Sequence, residues 1–119
     1  MKKVMISQPM NGKSMDEIIK VRDRAIKVTE AMGYELVNTL FGDDEPWCSP
    51  AAMQAAGVEN PPLCFLAHSL EAMAQCHAVF FCNGWEQTRG CQLEHDAAIA
   101  YGLDVLYENE IFFGDGAAQ

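Results

Sequence analysis

Two kinds of apolar pattern alternate along this chain, separated by polar loops that carry glycine or proline. Val4-Met5-Ile6 and the run from His77 to Cys82 are short and continuously apolar, the signature of strands buried on both faces. Tyr34 to Asn38 and Val105-Leu106-Tyr107 read as a second and a fourth strand around them. Between the strands the period changes to that of a helix. Ser14-Met15-Asp16-Glu17 fits a capping box, with Ser14 as N-cap and Glu17 reaching back. Met15, Ile18, Ile19, Arg22, Ile26, Thr29 and Met32 follow at mostly helical spacing until Gly33, a C′ glycine, ends the segment. Leu66, Leu70, Met73 and Ala74 form a second stripe on a helix starting near Leu63, and a third helix runs from Gly90 to Gly102.

Strands alternating with helices predict an α/β fold: a single Rossmann-like (flavodoxin-like) domain over residues 1–119, with a parallel sheet of four to five strands and helices on both faces. Residues 42–62, rich in acidic residues, Pro and Gly, with an Ala-rich piece at Ala51 to Ala56, read as a variable loop, a lid or a partly helical excursion. Ile111-Phe112-Phe113 is a candidate edge strand or contact with a partner, and residues 114–119 read as a frayed, flexible tail.

A formal charge of −9 without a Lys/Arg cluster argues against a nucleic-acid polymer as partner. A small anion stays open, since a helix N-terminus and one or two cations suffice to hold it. No apolar run reaches transmembrane length and no signal-peptide core follows the N-terminus, so the expectation is a cytoplasmic protein off the membrane. The five cysteines (Cys48, Cys64, Cys76, Cys82, Cys91) lack a C-x-x-C pair or metal-ligand spacing and read as reduced thiols. No metal and no cofactor is implied.

Chemistry concentrates in two loops. Ser7, Gln8, Asn11, Gly12, Lys13 and Ser14 lie between the first strand and the first helix, where free backbone N–H groups favour an anion or a sugar hydroxyl. Neither G-x-x-x-x-G-K-[ST] nor G-x-G-x-x-G is present, and a well-capped connecting turn accounts for the same residues. The second loop follows the third strand. Asn83, Glu86, Gln87, Thr88 and Arg89 are polar groups at a strand exit, Trp85 is placed to stack on a flat ring, and Gly90 permits close backbone approach. Glu94 then falls in the first turns of the helix, as a nucleophile, a general base, or only a complement to the helix dipole. His95 points about 100° away from it around a helix. His68, His77 and His95 read as structural or surface residues, and Asp43-Asp44-Glu45 as a solvated run.

These segments resemble the nucleoside 2-deoxyribosyltransferase-like superfamily, and within it small, often phage-encoded members of unassigned function. Val4-Met5-Ile6-Ser7-Gln8-Pro9-Met10-Asn11-Gly12 is similar to its opening strand and "I-S-G-P-M-x-G" loop. Ser69 to Val79 is similar to its helix and "A-D-x-V" strand entry. Gly84 to His95, with Ala98 and Gly102, resembles its "S-G-x-x-x-E-x-x-x-A…G" signature. The resemblance implies an N-glycosidic-bond enzyme, hydrolase or transferase, acting on small 2-deoxyribonucleosides or their 5′-monophosphates. Glu94 would be its nucleophile, Ser7, Gln8, Pro9 and Met10 would line the sugar and base site, and Asn11, Gly12, Arg89 and Gly90 would meet a 5′-phosphate. A homodimer or larger assembly is implied too.

The chain departs from that pattern in four places. Gln8 stands where the family usually has Gly, and Cys76-His77 replaces Ala-Asp. Asn83 stands where active members often carry Asp, which leaves Glu86 as the candidate acid/base partner, and the first loop has no tyrosine. The alternatives are a non-catalytic module that binds or sequesters a nucleotide, and an interaction protein that kept the fold and lost the pocket.

Overall fold

The computed structural model describes residues 1–37 and 50–111. Strand β1 (Lys3–Ser7) leads through a turn into helix α1 (Met15–Ala31), then strand β2 (Glu35–Leu36). Helices α2 (Pro50–Ala55) and α3 (Pro61–Met73) precede strand β3 (Ala78–Phe81). A 3₁₀ turn (Trp85–Gln87), helix α4 (Arg89–Ala100) and strand β4 (Asp104–Tyr107) complete the order. The four strands form one all-parallel sheet in the order β2-β1-β3-β4. This is the single α/β, Rossmann-like domain that the alternating pattern predicts.

The strand alternation divides the core between two layers. Met5, Val79 and Phe81 point to one face, where Ala72, Met73 and Cys76 of the α3 segment and Ala98 of α4 cover them. Val4, Ile6, Ala78, Phe80 and Cys82 point to the other face, against Ala25 of α1. All four β3 residues are fully buried, and each large side chain taken from water contributes about 1.5–3 kcal/mol. β3 is therefore the centre of the fold, paired with β1 from Val4–Ala78 to Ser7–Phe81 and with β4 from Ala78–Asp104 to Phe81–Tyr107.

Several boundaries differ from the sequence reading. The second strand is two residues long, extended only by the Val37 N–H donating to the Val4 carbonyl; Asn38 lies outside the described residues. In α1 the capping box forms as expected, and Gly33 has the positive φ of +91° that a C′ glycine supplies. Its buried stripe, however, is Ile18, Arg22, Ala25 and Thr29, while Met15 and Met32 are exposed. The stripe on α3 is shifted as well: His68, Ala72 and Met73 are buried and Leu70 is exposed, because this helix also faces α4. The Ala-rich piece of the 42–62 excursion is helical as α2, and α3 starts at Pro61 behind an Asn60 N-cap. Ile111 lies in a helical turn over residues 108–111 instead of a strand; Phe112, Phe113 and residues 114–119 are outside the described residues, as are Cys48 and the Asp43–Glu45 run.

Candidate active site

In a sheet of order 2-1-3-4, the chain leaves β1 toward one side and β3 toward the other. The carboxyl ends of those two central strands therefore open a crevice at the point where the winding reverses. Both loops singled out in the sequence meet here. Ser7 ends β1 beside Phe81 of β3, and the Cys82 N–H donates to the Ser7 carbonyl, continuing the pairing past the strand end.

Ser7 has the same orientation as Met5 and so faces the α3/α4 layer. Its hydroxyl donates to Oε1 of Glu94 over 2.5 Å, joining residues 87 apart in the chain. Glu94 is only 8 % exposed. Burial pushes its carboxyl above the ordinary value, while hydrogen bonds from the Ser7 and Ser69 hydroxyls pull the other way by favouring the anion. Cys91, one turn earlier on α4, is buried alongside; burial lifts its thiol to about 11, Ser7 opposes this, and nearby Glu94 adds to it. The thiol thus stays protonated at neutral pH, and the one Ser7 proton goes to the carboxylate.

Gln8 faces the opposite layer. Its Nε2 donates to the Ile18 carbonyl over 2.6 Å, and its buried Oε1 has no hydrogen-bond partner. The side chain is thus directed toward α1. Arg22, 4 % exposed, comes from the same helix; burial lowers the pKa of its guanidinium, and Cys82 and Asp23 oppose this. Pro9 is buried, Met10 is exposed, and Gly12 takes a φ of +76° in the turn closed by Lys13 N–H donating to the Met10 carbonyl.

Between the two loops lies a cleft of about 190 Å³ lined by Pro9, Asn11, Lys13, Asn83, Gly84, Gln87 and Thr88. Its walls come close where Gly84, at φ +89°, meets Pro9: a Cβ at 84 would sit 3.6 Å from the proline Cγ. One cation, three amides, one hydroxyl and no carboxylate line it. Glu94 is not in that lining; the carboxylate is buried and bonded to Ser7 on the α4 side. Arg89 and Gly90 begin α4, with Arg89 exposed and open space where a Gly90 Cβ would be, so no neighbour in the fold demands that glycine. The Thr88 side chain makes no capping bond to this helix.

Trp85 stacks inside the fold, on His95 at 4.1 Å between ring centroids and 20° between planes, with Phe81 and Tyr107 at its other contacts. That ring face is occupied and is not offered to a ligand. His95 Nε2 also bonds the Tyr107 hydroxyl at 2.6 Å, which places this histidine in an aromatic cluster away from Glu94. Glu86 is exposed on the 3₁₀ turn, and its backbone carbonyl accepts from Gln92 Nε2. His77 is exposed, with Nδ1 accepting from the Lys3 N–H. Among the described residues no group of three His, Cys, Asp or Glu could hold a metal ion, and no helix is long and apolar enough to cross a membrane. The four described cysteines, Cys64, Cys76, Cys82 and Cys91, are free thiols.

Sequence reasoning passed over Ser69, Cys91 and Glu108. Glu108 follows β4 directly and is 3 % exposed. Its Oε1 accepts from the Asn83 backbone N–H at 2.8 Å, and its Oε2 accepts from Arg24 Nε at 2.8 Å and lies 2.5 Å from Arg24 Nη2. Only the position straight after the fourth strand hinted at it, since strand exits in such a sheet border the crevice.

The chain matches the family described as Domain of unknown function (DUF4406) over residues 2–107, and it belongs to that family. No curated protein and no solved structure matches it.

Proposed function

We propose that this DUF4406 member cleaves the N-glycosidic bond of a small 2-deoxyribonucleoside or its 5′-monophosphate, with Glu94 as nucleophile. The observation that carries the reading is the Ser7–Glu94 pair. A buried carboxylate, held by one hydroxyl from the end of β1 and a second from α3, sits at the winding-reversal crevice where open α/β sheets bind ligands. A carboxylate there is suited to attack an oxocarbenium-like centre. In that step a Glu94 oxygen bonds to the anomeric carbon while the bond to the base breaks, and the electron pair goes to the base nitrogen, which takes up a proton. Water, or a second base, then displaces the ester and restores the carboxylate. Glu86 on the exposed 3₁₀ turn is the candidate proton donor, and the cleft holding Asn11, Lys13 and Asn83 would take the phosphate end. The similarity of the two loops and of the Glu94 helix to the deoxyribosyltransferase-like pattern supports the same reading. So does the size of the cleft, which fits part of a nucleotide. The reading includes a homodimer, supported by exposed Leu63, Phe65 and Leu70 on α3; a monomer by light scattering would count against that part.

One observation favours a second reading, a nucleotide-binding module without turnover. The cleft is polar, and Glu94 is outside its lining. One experiment separates the two: base release from a panel of 2′-deoxynucleosides and their 5′-monophosphates, followed by chromatography, with Glu94→Gln in parallel. Release by the native protein and not by the variant supports the enzyme. A thermal shift with some nucleotide and no release supports the module.

A further inference from the structure

We propose that Glu108 is a positioning residue that holds the β3–α4 loop in its cleft-forming position; the link to function rests on the cleft being the ligand site, while the hold on the loop does not. Three segments distant in sequence converge on this carboxylate. Arg24 comes from the middle of α1, 84 residues away, and the Asn83 backbone comes from the exit of β3, 25 residues away. Glu108 itself sits where β4 turns into the helical residues 108–111. Both of its oxygens are engaged, one by the loop and one by the guanidinium.

The division of labour follows from exposure. The Arg24 side chain is 50 % exposed, so solvent screens its attraction, whereas Glu108 is 3 % exposed. A buried carboxylate left without donors is costly, so Arg24 serves to satisfy Oε2 and orient the carboxylate. The bond to Asn83 then fixes the loop. Asn83 and Gly84 are the first two residues of the cleft's second wall, and Gly84 faces Pro9 of the first wall. The one backbone N–H that Glu108 takes up is therefore the hinge point at which the width of the cleft is set. Nothing in this arrangement touches Glu94, which lies on the other face of the sheet end. Glu108 governs how well a ligand is held, leaving the chemical step to Glu94.

The test is amide hydrogen exchange on the ligand-free protein, read over residues 82–88 and over the strands, for Glu108→Ala and Glu108→Gln. The glutamine keeps an oxygen for the Asn83 N–H while discarding the ion pair. A hydrogen bond to a charged group corresponds to a change of about tenfold or more in the open population. The expected result is faster exchange over 82–88 by about that factor in the alanine variant, with a smaller increase in the glutamine variant. Unchanged loop exchange in the alanine variant, or a rise spread evenly over the sheet, overturns the proposal. Should the alanine variant fail to fold, Glu108→Asp takes its place: it keeps the charge but is shorter by one bond, about 1.5 Å, and it too should loosen the loop. In base-release assays the alanine variant should raise KM by about tenfold and leave kcat within about twofold. A native protein that releases no base would sink the glycosidase reading alone, because the exchange result is obtained without substrate.

Discussion

Replacing Ser7 by alanine removes the hydroxyl that donates to Glu94 over 2.5 Å, in a place where both residues are almost wholly buried. What that costs depends on the charge of the carboxyl. With Glu94 ionised, the lost bond is one to a charged group, worth about 1.5–3 kcal/mol; with Glu94 protonated it is an ordinary bond of about 0.5–1.5 kcal/mol. Burial raises the Glu94 carboxyl above its ordinary value of 4.5. The folded state therefore binds more protons than the unfolded chain in the window above that value. The contribution of the group to stability is whole below the unfolded value and is lost as pH rises through the folded one. Removing Ser7 pushes the folded value higher still and deepens the loss on the alkaline side. Melting curves of the native protein and Ser7→Ala at pH 4.5 and pH 8 should show a penalty larger by about 1 kcal/mol at pH 8, equivalent to roughly 3–5 °C for a domain of this size. In a Glu94→Gln background the penalty should lose its pH dependence, which isolates the pair from every other titrating group. An equal penalty at both pH values, or a larger one in acid, would refute the assignment of Ser7 as donor to a buried carboxylate.

Other expectations follow from the same geometry. Glu94→Gln should lower base release by about 10³-fold or more, and native activity should climb with pH along a limb displaced above the ordinary carboxylate range, as the raised Glu94 value requires; pH-rate profiles check both. Phe81→Ala removes a fully buried ring in contact with Trp85 and His95, and urea unfolding should report a loss of about 3–5 kcal/mol. Gly84→Ala forces a side chain into φ +89° opposite Pro9; a cost of about 1–2 kcal/mol and weaker nucleotide-induced thermal shifts are expected. Tyr107→Phe deletes the bond to His95 at 2.6 Å and should cost about 0.5–1.5 kcal/mol in the same unfolding assay.

The sheet was legible because its two central strands are continuous apolar runs, and a strand buried on both faces leaves little else for Val4–Ile6 or Ala78–Phe81 to be. Edge strand β2 was read too long, since its few residues have partners on one side only and pattern alone cannot mark where pairing stops. Ser7 and Glu94 were each picked from their places at a strand exit and in a helix. Their bond, across 87 residues, follows only once β1 and β3 lie side by side. The stacking of Trp85 on His95 and Tyr107 was not legible, because local spacing says nothing of rings arriving from α4 and β4. Glu108 gave no local signal beyond its place after β4: a single acidic residue there resembles any solvated charge until Arg24 and Asn83 are seen to meet it.

The order in which the strands pair also governs how the chain reaches this structure. β1 precedes the other described strands in the chain, yet its extensive partner is β3; among the described residues β2 offers it two pairs and the Val37 N–H bond to Val4. During synthesis helix α1 can cover Val4 and Ile6, but Met5 on the opposite face lacks Val79 and Phe81 until β3 has emerged. Pairing with β3 across one long loop then completes both core layers. Such non-local parallel pairing folds slowly and leaves nascent apolar surface open to aggregation. A fragment ending before β3 would keep helix α1 against Val4 and Ile6 and leave Met5 without Val79 and Phe81 beside it.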